Sequence, residues 1–372
     1  LYIRAPEYPN NFVNLHLQES DSPMATPQAD ISENMLFNLS DALLETLLID
    51  RTLTTDKRNV NIFWGTDNYA ERGKGYQYND QIRVEAITGE NGNVIVPRAV
   101  KSREQKHKRS RAMAEIFTPS WVCNTMVNAI DESWFGRKNV FNTEIEEQGK
   151  PNTWEVTPGP IEFPEGKSWQ TYVRENRLEI TCGEAPFLAS RYDTVTGGPI
   201  PVERRIGILD RKLRIVDEHT SSHEEWVEWA TLALKGTYGY EWQGDNLLLA
   251  RESMLMTMVE YHEHKFHTDL GMDLLMRFAE IISWNIWQMD GLKCVIPGSC
   301  TKTPKPAQQQ LSLFDDEETG VADEPPTLLD CPGCKKQNMH MHNGVYCLIM
   351  DWEEGKPITF VSLIPERKNG KR

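Results

Sequence analysis

Residues 178–188, Leu178-Glu179-Ile180-Thr181-Cys182-Gly183-Glu184-Ala185-Pro186-Phe187-Leu188, predict a buried strand, a turn of small residues and the start of a helix. An acid, Glu179, stands where the strand is expected to end. Proteins of the α/β class bind ligands at the carboxyl ends of their parallel strands, so this layout is typical of a site for a nucleoside-containing cofactor. The stretch therefore predicts an α/β fold with a ligand site at the end of this strand.

Two later segments repeat the pattern of a strand that ends in an acid. Tyr238-Gly239-Tyr240-Glu241 precedes a helical run over residues 247–261, and Asn285-Ile286-Trp287-Gln288-Met289-Asp290 follows it. Because parallel strands end at the same edge of a sheet, we expect Glu179, Glu241 and Asp290 to lie close together. Carboxylates at one edge would hold the amino group, the ribose and the purine edge of one cofactor.

The composition is that of an ordinary globular protein. With 372 residues, of which 39% are apolar, the chain can bury a large core, and no apolar stretch approaches a membrane span. Seven irregularly spaced cysteines and a Pro-rich N-terminus without a secretory signal favour the cytoplasm. Since the chain opens on Leu1, with Met24 and Met35 downstream, we expect that its first residues are a fragment or precede the natural start.

The charge of the chain is unevenly distributed. A formal net charge of −15 argues against a protein that coats nucleic acid, yet residues 101–111 and 367–372 are strongly basic. One interpretation is a phosphate-facing stripe on an acidic body, and the other is a solvated helix start or loop.

The pattern along the chain predicts five parts. These are an irregular or disordered N-terminus (1–34), an N-terminal α+β region with the basic stripe (35–112), an α/β domain with the site (113–298), an acidic flexible linker (299–330) and a small C-terminal β-hairpin (331–372). Apolar periodicity and a capping box at residues 221–224 predict helices over residues 35–49, 120–130, 224–235, 247–261 and 269–282. The hairpin strands are predicted at 345–350 and 358–363, short β-like segments at 60–100, and loops at 136–175.

Four segments of the chain occur in an order that characterises one family of enzymes. They are Ala114-Glu115-Ile116-Phe117-Thr118-Pro119-Ser120-Trp121, then residues 179–188, then Tyr238-Gly239-Tyr240-Glu241 with Leu249-Ala250-Arg251-Glu252, and last residues 285–292. In this order they resemble the amino-terminal half of the adenine-N6 DNA methyltransferases of restriction–modification systems. The resemblance covers about residues 60–297.

The resemblance implies a Rossmann-like sheet that binds S-adenosyl-L-methionine within residues 113–298. In the family the first segment lies over the methionine end of the cofactor and the loop at 179–188 binds it. The acid that matches Glu241 binds the ribose, and the acid that matches Asp290 holds the adenine. The cofactor-binding residues so implied are Phe117, Thr118, Pro119, Glu179, Thr181, Cys182, Gly183, Ala185, Phe187, Glu241, Trp242, Asp290 and Gly291.

The chain departs from the family pattern in this loop. Ala185 stands where the family has its second loop glycine, and Ile180-Thr181 replaces its usual Pro-Ala before the cysteine. A methyl group at residue 185 is expected to crowd the cofactor slightly.

The catalytic loop of the family is missing. That loop, (Asn/Asp/Ser)-Pro-Pro-(Tyr/Phe/Trp), accepts hydrogen bonds from the amine of the flipped adenine and stacks an aromatic ring on the base. The one Pro-Pro of this chain, Pro325-Pro326, lies in the acidic linker before Thr327, without the aromatic residue or a preceding strand. No catalytic residue is therefore predicted, and the simplest account is a split enzyme with a catalytic or specificity partner subunit. A degenerate, inactive cofactor-binding subunit is the alternative.

A short apolar cluster lies in the acidic linker. Its sequence, Gln310-Leu311-Ser312-Leu313-Phe314, is similar to the pentapeptide by which bacterial replication proteins bind the ring-shaped sliding clamp. The other interpretation is a chance cluster, or one that packs back on the core. Binding to the clamp would deliver a methyltransferase to newly made DNA.

A metal site is predicted near the C-terminal hairpin. Cys331-Pro332-Gly333-Cys334 is a tight knuckle that supplies two of the four ligands that structural zinc needs, and the hairpin has little core of its own. Cys300 is the favoured third ligand, while Cys294, His342 and Cys347 compete for the fourth place; the predicted set is Cys300, Cys331, Cys334 and His342. Free thiols are the alternative, and a redox role is disfavoured because no thioredoxin-like βαβ unit surrounds the pair.

Together these features predict the S-adenosyl-L-methionine-binding subunit of a DNA adenine-N6 methyltransferase, from a restriction–modification system of a bacterial or phage-infected cell. The expected partners are DNA, a second subunit and the sliding clamp, with no membrane. The alternative function is a non-catalytic, DNA-associated adaptor that recruits partners through residues 310–314 and the zinc hairpin. The cofactor motifs by themselves also leave an RNA substrate open.

Overall fold

The computed structural model of the chain describes residues 33–97, 99, 118–146, 148–149, 152–304 and 328–366. The protein is of the mixed α/β class and divides into two compact units, residues 1–288 and residues 289–372. Among the helices so described, none has the length and apolar character required to cross a membrane.

Most of the regular elements belong to the first unit. Its helices are α1 Glu33–Leu39, α2 Asp41–Leu48, α3 Val84–Ile87, α4 Ser120–Phe135, α5 Trp169–Arg174, α6 Ile208–His219, α7 His223–Lys235, α8 Gly244–Phe266 and α9 Met272–Asn285. Its strands are β1 Asn142–Ile145, β2 Thr153–Val156, β3 Arg177–Glu179, β4 Thr237–Glu241 and β5 Ile286–Gln288. The second unit contains α10 Pro332–Lys336 and the strands β6 Thr303–Pro304, β7 Leu328–Leu329, β8 Leu348–Asp351 and β9 Lys356–Thr359.

A three-stranded parallel sheet of the first unit carries two of the predicted acids. Its strand order is β3-β4-β5, and Glu179 lies opposite Gly239 in the register. Glu241 lies opposite Gln288 on β5. Helices α6 and α7 connect β3 to β4, while α8 and α9 connect β4 to β5. Such crossovers are required here because a tight hairpin cannot join parallel neighbours.

Helix α8 is buried along most of its length, so it lacks the two-faced pattern of a surface helix. Its Arg251 is fully buried, and the guanidinium Nε donates to the Ile286 carbonyl at 2.8 Å. Nη1 of the same side chain donates to the Ile49 carbonyl at 2.9 Å. These bonds satisfy a buried cation and attach the end of α2 to strand β5.

A buried ion-pair network joins α4, β3 and α6. The Asp131 carboxylate accepts hydrogen bonds from Tyr172 Oη at 2.9 Å and from Arg177 Nη1 at 2.9 Å. Its second oxygen accepts a bond from Arg211 Nη1 at 2.5 Å. The aspartate and Arg211 side chains are each 1% exposed, so the pairing, rather than water, neutralises these charges.

Several helices follow the apolar periodicity of the sequence. Helix α7 occupies the predicted range 224–235, and Ser222 caps it by accepting a bond from the Glu225 N–H at 3.1 Å. Helices α4 and α8 contain the predicted ranges 120–130 and 247–261 and extend beyond them.

Other local predictions differ from the structure. The helix predicted over 35–49 is interrupted at Ser40, whose extended backbone (φ −165°) separates α1 from α2. Residues 136–175, predicted as loops, include the antiparallel pair β1–β2 and helix α5. Residues 60–100, predicted to be β-like, contribute isolated bridges and short helical turns to the described part of the chain. Helix α6 was not predicted, although its buried residues Ile208, Leu209, Leu213 and Val216 recur at helical spacing.

The second unit contains the C-terminal hairpin. Strands β8 and β9 pair antiparallel, with Leu348 opposite Thr359. They lie within one to a few residues of the predicted strands, while Phe360–Leu363 forms a 3-10 turn in place of strand. Val295 bridges both Asp290 and Tyr346, which connects the start of this unit to the hairpin.

Candidate functional site

A cavity of about 830 Å³ lies at the carboxyl ends of β3 and β4, a volume usual for small-molecule sites. Of the residues predicted to bind the cofactor, its lining includes Thr118, Glu179, Thr181, Cys182, Gly183, Phe187, Glu241 and Trp242. The charged side chains of this lining are the carboxylates of Glu179, Glu184 and Glu241, without a lysine, arginine or histidine among the described residues. The cavity therefore favours a ligand that brings positive charge or hydrogen-bond donors.

The turn after β3 is wound in the left-handed region of the backbone. Thr181 (φ +48°), Gly183 (φ +56°) and Ala185 (φ +60°) all have positive φ, which costs strain at the two residues other than glycine. Ala185 is fully buried and lies outside the cavity lining. The Ala185 methyl group therefore strains the backbone, which a glycine would not do. The expectation that this methyl group crowds the cofactor is wrong, because the side chain does not border the cavity.

Glu241 attaches this turn to strand β4. Its Oε2 accepts a hydrogen bond from the Gly183 N–H at 2.9 Å, and its Oε1 accepts one from the Gln243 N–H at 3.2 Å. Burial raises the pKa of Glu241 above its ordinary value, although these backbone bonds oppose the shift. The side chain thus sets the shape of the turn as well as part of the charge of the cavity.

Of the two acids, Glu179 is the one whose pKa is raised more. Burial raises its pKa well above the ordinary value and the charge of Glu241 adds to the effect, while backbone N–H groups of Phe187 and Leu188 oppose it. Its Oε2 is buried without a hydrogen-bond partner among the described residues. Two acids on neighbouring strands, without a cation between them among the described residues, disfavour the ionised form of Glu179.

Cys182 has a structural role in the turn. Its N–H donates to the Tyr240 carbonyl at 2.8 Å, and its side chain is 1% exposed. Burial raises the pKa of this thiol well above its ordinary value, and the charges of Glu179 and Glu241 raise it further. A thiol that stays protonated is a poor nucleophile, so this cysteine does not suit covalent catalysis.

The segment that precedes α4 is held beside the turn. Thr194 Oγ1 donates to the Thr118 carbonyl at 2.7 Å, and Asp193 Oδ2 accepts a bond from the Ser120 N–H at 3.0 Å. Pro119 occupies the position before the first helical residue. The contacts of Asp193 and Thr194 are not evident in the sequence, because they depend on a loop that folds back onto the start of a distant helix.

The backbone of Trp242 is bonded to a side chain of β5, that of Gln288. Gln288 Nε2 donates to the carbonyls of Phe63 and Trp242, each at 2.8 Å, and Gln288 Oε1 accepts a bond from the Phe63 N–H at 3.0 Å. The indole Nε1 of Trp242 donates to Tyr78 Oη at 2.9 Å. The sequence signal for these hydrogen bonds was a glutamine inside a predicted apolar strand.

The third predicted acid, Asp290, follows β5 and belongs to the second unit together with Gly291. There its Oδ1 accepts a bond from the Leu292 N–H at 3.1 Å, and its Oδ2 pairs with Lys293 Nζ at 2.8 Å. Unlike Glu179, this carboxylate has a cation of its own unit beside it. Its role in binding adenine stays a prediction.

The second unit brings together the predicted metal ligands. The Sγ atoms of Cys300, Cys331 and Cys334 lie 3.5, 3.5 and 3.7 Å from His342 Nδ1. All four ligand atoms lie within 4.8 Å of one another, so the cluster could hold a metal ion. Three sulfurs and one imidazole nitrogen form a donor set that suits zinc.

Backbone geometry supports this cluster. Burial raises the pKa of Cys331, but hydrogen bonds from the Asn343 and Cys334 backbone and from His342 bring it down to about 6. A thiolate is the form that binds metal. A Cβ built on Gly333 would lie 2.6 Å from His342 Nδ1, so the knuckle needs glycine at this position.

The competing fourth ligands are not part of this cluster. Cys294 is fully buried, and its Sγ lies 4.0 Å from the Met339 sulfur. Cys347 is fully buried as well. The fold therefore selects His342 over both cysteines.

Several predicted features lie outside the described residues. They are Phe117, the clamp-like peptide Gln310, Leu311, Ser312, Leu313 and Phe314, the Pro325-Pro326 pair, and the basic segments 101–111 and 367–372.

Comparison with protein-family models, with curated proteins and with solved structures finds no match for this chain.

Proposed function

We propose that the chain is the S-adenosyl-L-methionine-binding subunit of a DNA adenine-N6 methyltransferase in a restriction–modification system. The observation that carries the proposal is the cavity at the ends of β3 and β4, where Glu179 and Glu241 meet the left-handed turn. Both acids come from segments that resemble the family in sequence. The parallel order β3-β4-β5 is also that of one half of a doubly wound, Rossmann-like sheet.

Within this proposal the cavity binds the cofactor and supplies no catalytic group. The cofactor itself carries the methyl group that is transferred. Glu241 would accept hydrogen bonds from the ribose hydroxyls, Glu179 would face the amino group, and N–H groups of the turn would face the carboxylate. The catalytic loop is absent from the sequence, so a partner subunit would supply it and the isolated chain would transfer no methyl groups.

Calorimetry tests the cofactor role. We expect the full chain to bind S-adenosylhomocysteine, and we expect Glu241→Ala to weaken binding by about tenfold or more, since it removes both an acceptor and the bond to Gly183. Glu241→Gln keeps the shape of the side chain and should weaken binding less. Glu144→Ala, at an exposed position of β1, is the matched control and should bind as the unchanged chain does.

The absence of heat from both S-adenosylmethionine and S-adenosylhomocysteine would reject the cofactor role. Robust methylation of DNA by the isolated chain would reject the division of the enzyme between two subunits. Methylation of RNA but not of DNA, once the partner is added, would correct the substrate.

We further propose that the cluster of Cys300, Cys331, Cys334 and His342 holds a structural zinc ion. Its four protein ligands leave no open position for a substrate, as expected of a structural site. The ion would stabilise a unit whose strands are only two to four residues long.

A further inference from the structure

Strand β3 has a free edge. Among the described residues it pairs with β4 and with no other strand. The Arg177 N–H donates to the Gly236 carbonyl on the β4 side, at 2.9 Å. Because successive residues of a parallel strand direct their backbone groups to opposite edges, the N–H and carbonyl of Leu178 point away from β4. These groups are a template for another strand.

The cavity continues along this free edge. Its lining includes the consecutive residues Leu178, Glu179 and Ile180. Leu178 and Glu179 are consecutive residues of β3, so their side chains point to opposite faces, and a space that both border runs beside the strand rather than over one face. Ile180 lies in the turn that follows directly. Glu241 and the turn that we assign to the cofactor are bonded to β4, on the other side of β3, because the Cys182 and Gly183 N–H groups donate to Tyr240 and Glu241.

Exposed apolar side chains surround this part of the cavity. Leu178 and Ile180 are 40% and 65% exposed, and Met126 and Ile130, one turn apart on α4, are 53% and 45% exposed. All four line the same cavity. A contiguous apolar patch beside unpaired backbone groups is typical of a protein interaction site.

We propose that a parallel β-strand of a partner polypeptide pairs with the free edge of β3 and covers Met126, Ile130, Leu178 and Ile180. The inference rests on the proposed function and deepens it, because it places the partner subunit on this chain. The order β3-β4-β5 is that of half a doubly wound sheet, and in the complete sheet the next strand joins at the β3 edge.

The chemistry of the cavity defines the partner strand. The strand has apolar side chains toward α4, and it lacks acids because the lining formed by the described residues already holds three glutamates and no cation. A second copy of this chain fits less well. A twofold axis would pair the two β3 edges antiparallel and bring their Glu179 carboxylates toward one another.

Site-specific photo-cross-linking tests this docking. The full chain, with p-benzoylphenylalanine in place of Leu178 or Ile180, is produced in the organism that carries the gene and irradiated there. The control carries the probe at Met272 of α9, which at 36% is about as exposed as Leu178. Mass spectrometry then identifies the attached residues.

We expect both probes to attach to one segment of a different polypeptide. Because Ile180 directly follows β3, its attachment should lie further toward the partner's C-terminus than the Leu178 attachment, which is the signature of parallel pairing. Ile130→Asp should reduce the Leu178 cross-link by about tenfold, with the circular dichroism spectrum unchanged because the position is exposed.

Four results would overturn the docking: attachment to a second copy of the chain, attachment to another segment of the same chain, reversed direction, or a yield no higher than at Met272. Calorimetry on the same chain separates this inference from the proposed function. Heat with S-adenosylhomocysteine but no strand cross-link rejects only the docking. The cross-link without heat rejects only the cofactor role.

Discussion

The buried carboxyl group of Asp50 should make the first unit more stable at mildly acidic pH. The side chain is 4% exposed, and its Oδ1 accepts bonds from the Thr52 and Leu53 N–H groups at 2.8 and 3.0 Å. Its Oδ2 is buried without a partner among the described residues. Burial raises the pKa of Asp50 from 3.8 to about 6, against the opposing pull of those N–H groups and of Arg251.

The sign of the effect follows from this raised pKa. Between 3.8 and about 6 the folded form holds a proton that the unfolded form has lost, so stability is present at low pH and is lost as pH rises through about 6. At about pH 5, one pH unit below the pKa of Asp50 in the folded form, this contribution to the unfolding free energy is about 1.4 kcal/mol. At about pH 7.5 it is close to zero. Asp50→Asn keeps an acceptor and removes the titration.

The assay is urea unfolding at both pH values, followed by tryptophan fluorescence, which reports mainly on the first unit because Trp352 is the one tryptophan after residue 288. We subtract the unfolding free energy of Asp50→Asn from that of the unchanged chain. This difference should be about 1.4 kcal/mol larger at about pH 5 than at about pH 7.5. Asp56→Asn, in an exposed turn, is the control and should show no such change. A difference that is constant with pH, or larger at the higher pH, would refute the reasoning.

Three further predictions concern the buried network and the metal cluster. Asp131→Asn leaves two buried arginines without their counter-ion, so urea unfolding should show a loss of about 3–5 kcal/mol, and a loss below about 1 kcal/mol would contradict the network. Cys334→Ser removes one ligand, so elemental analysis should find about one zinc per unchanged chain and much less in the variant, while equal zinc contents would reject the site. Gly333→Ala places a methyl group against His342 and should also lower the zinc content, without changing the urea unfolding of the first unit.

Part of the cavity could be predicted from the sequence. Glu179 and Glu241 are the last residues of β3 and β4, and the same parallel sheet brings both to one cavity. An acid at the end of a strand can be recognised from the neighbouring residues alone. The carboxyl ends of parallel strands lie at one edge of the sheet, so two such acids are expected to be close together. The positive φ of Ala185 could not be predicted, since nothing in the residue type indicates it.

The metal cluster could also be predicted only in part from the sequence. A Cys-x-x-Cys knuckle is local, so the sequence indicates Cys331 and Cys334 directly. The choice of His342 over Cys294 and Cys347 depends on which side chain the fold carries to the knuckle. That choice needs distances between residues far apart in the sequence.

The sequence by itself determined several of the helices, the two acids that end β3 and β4, and the Cys-x-x-Cys knuckle, because each is a pattern of residues close together in the chain. Only the tertiary structure decided which charges are paired. Asp131 meets Arg211 across 80 positions of the chain, and Arg191 meets Glu260 across 69 positions. Burial makes an unpaired charge costly, so the fold selects these partners from distant segments, and no local pattern records that selection.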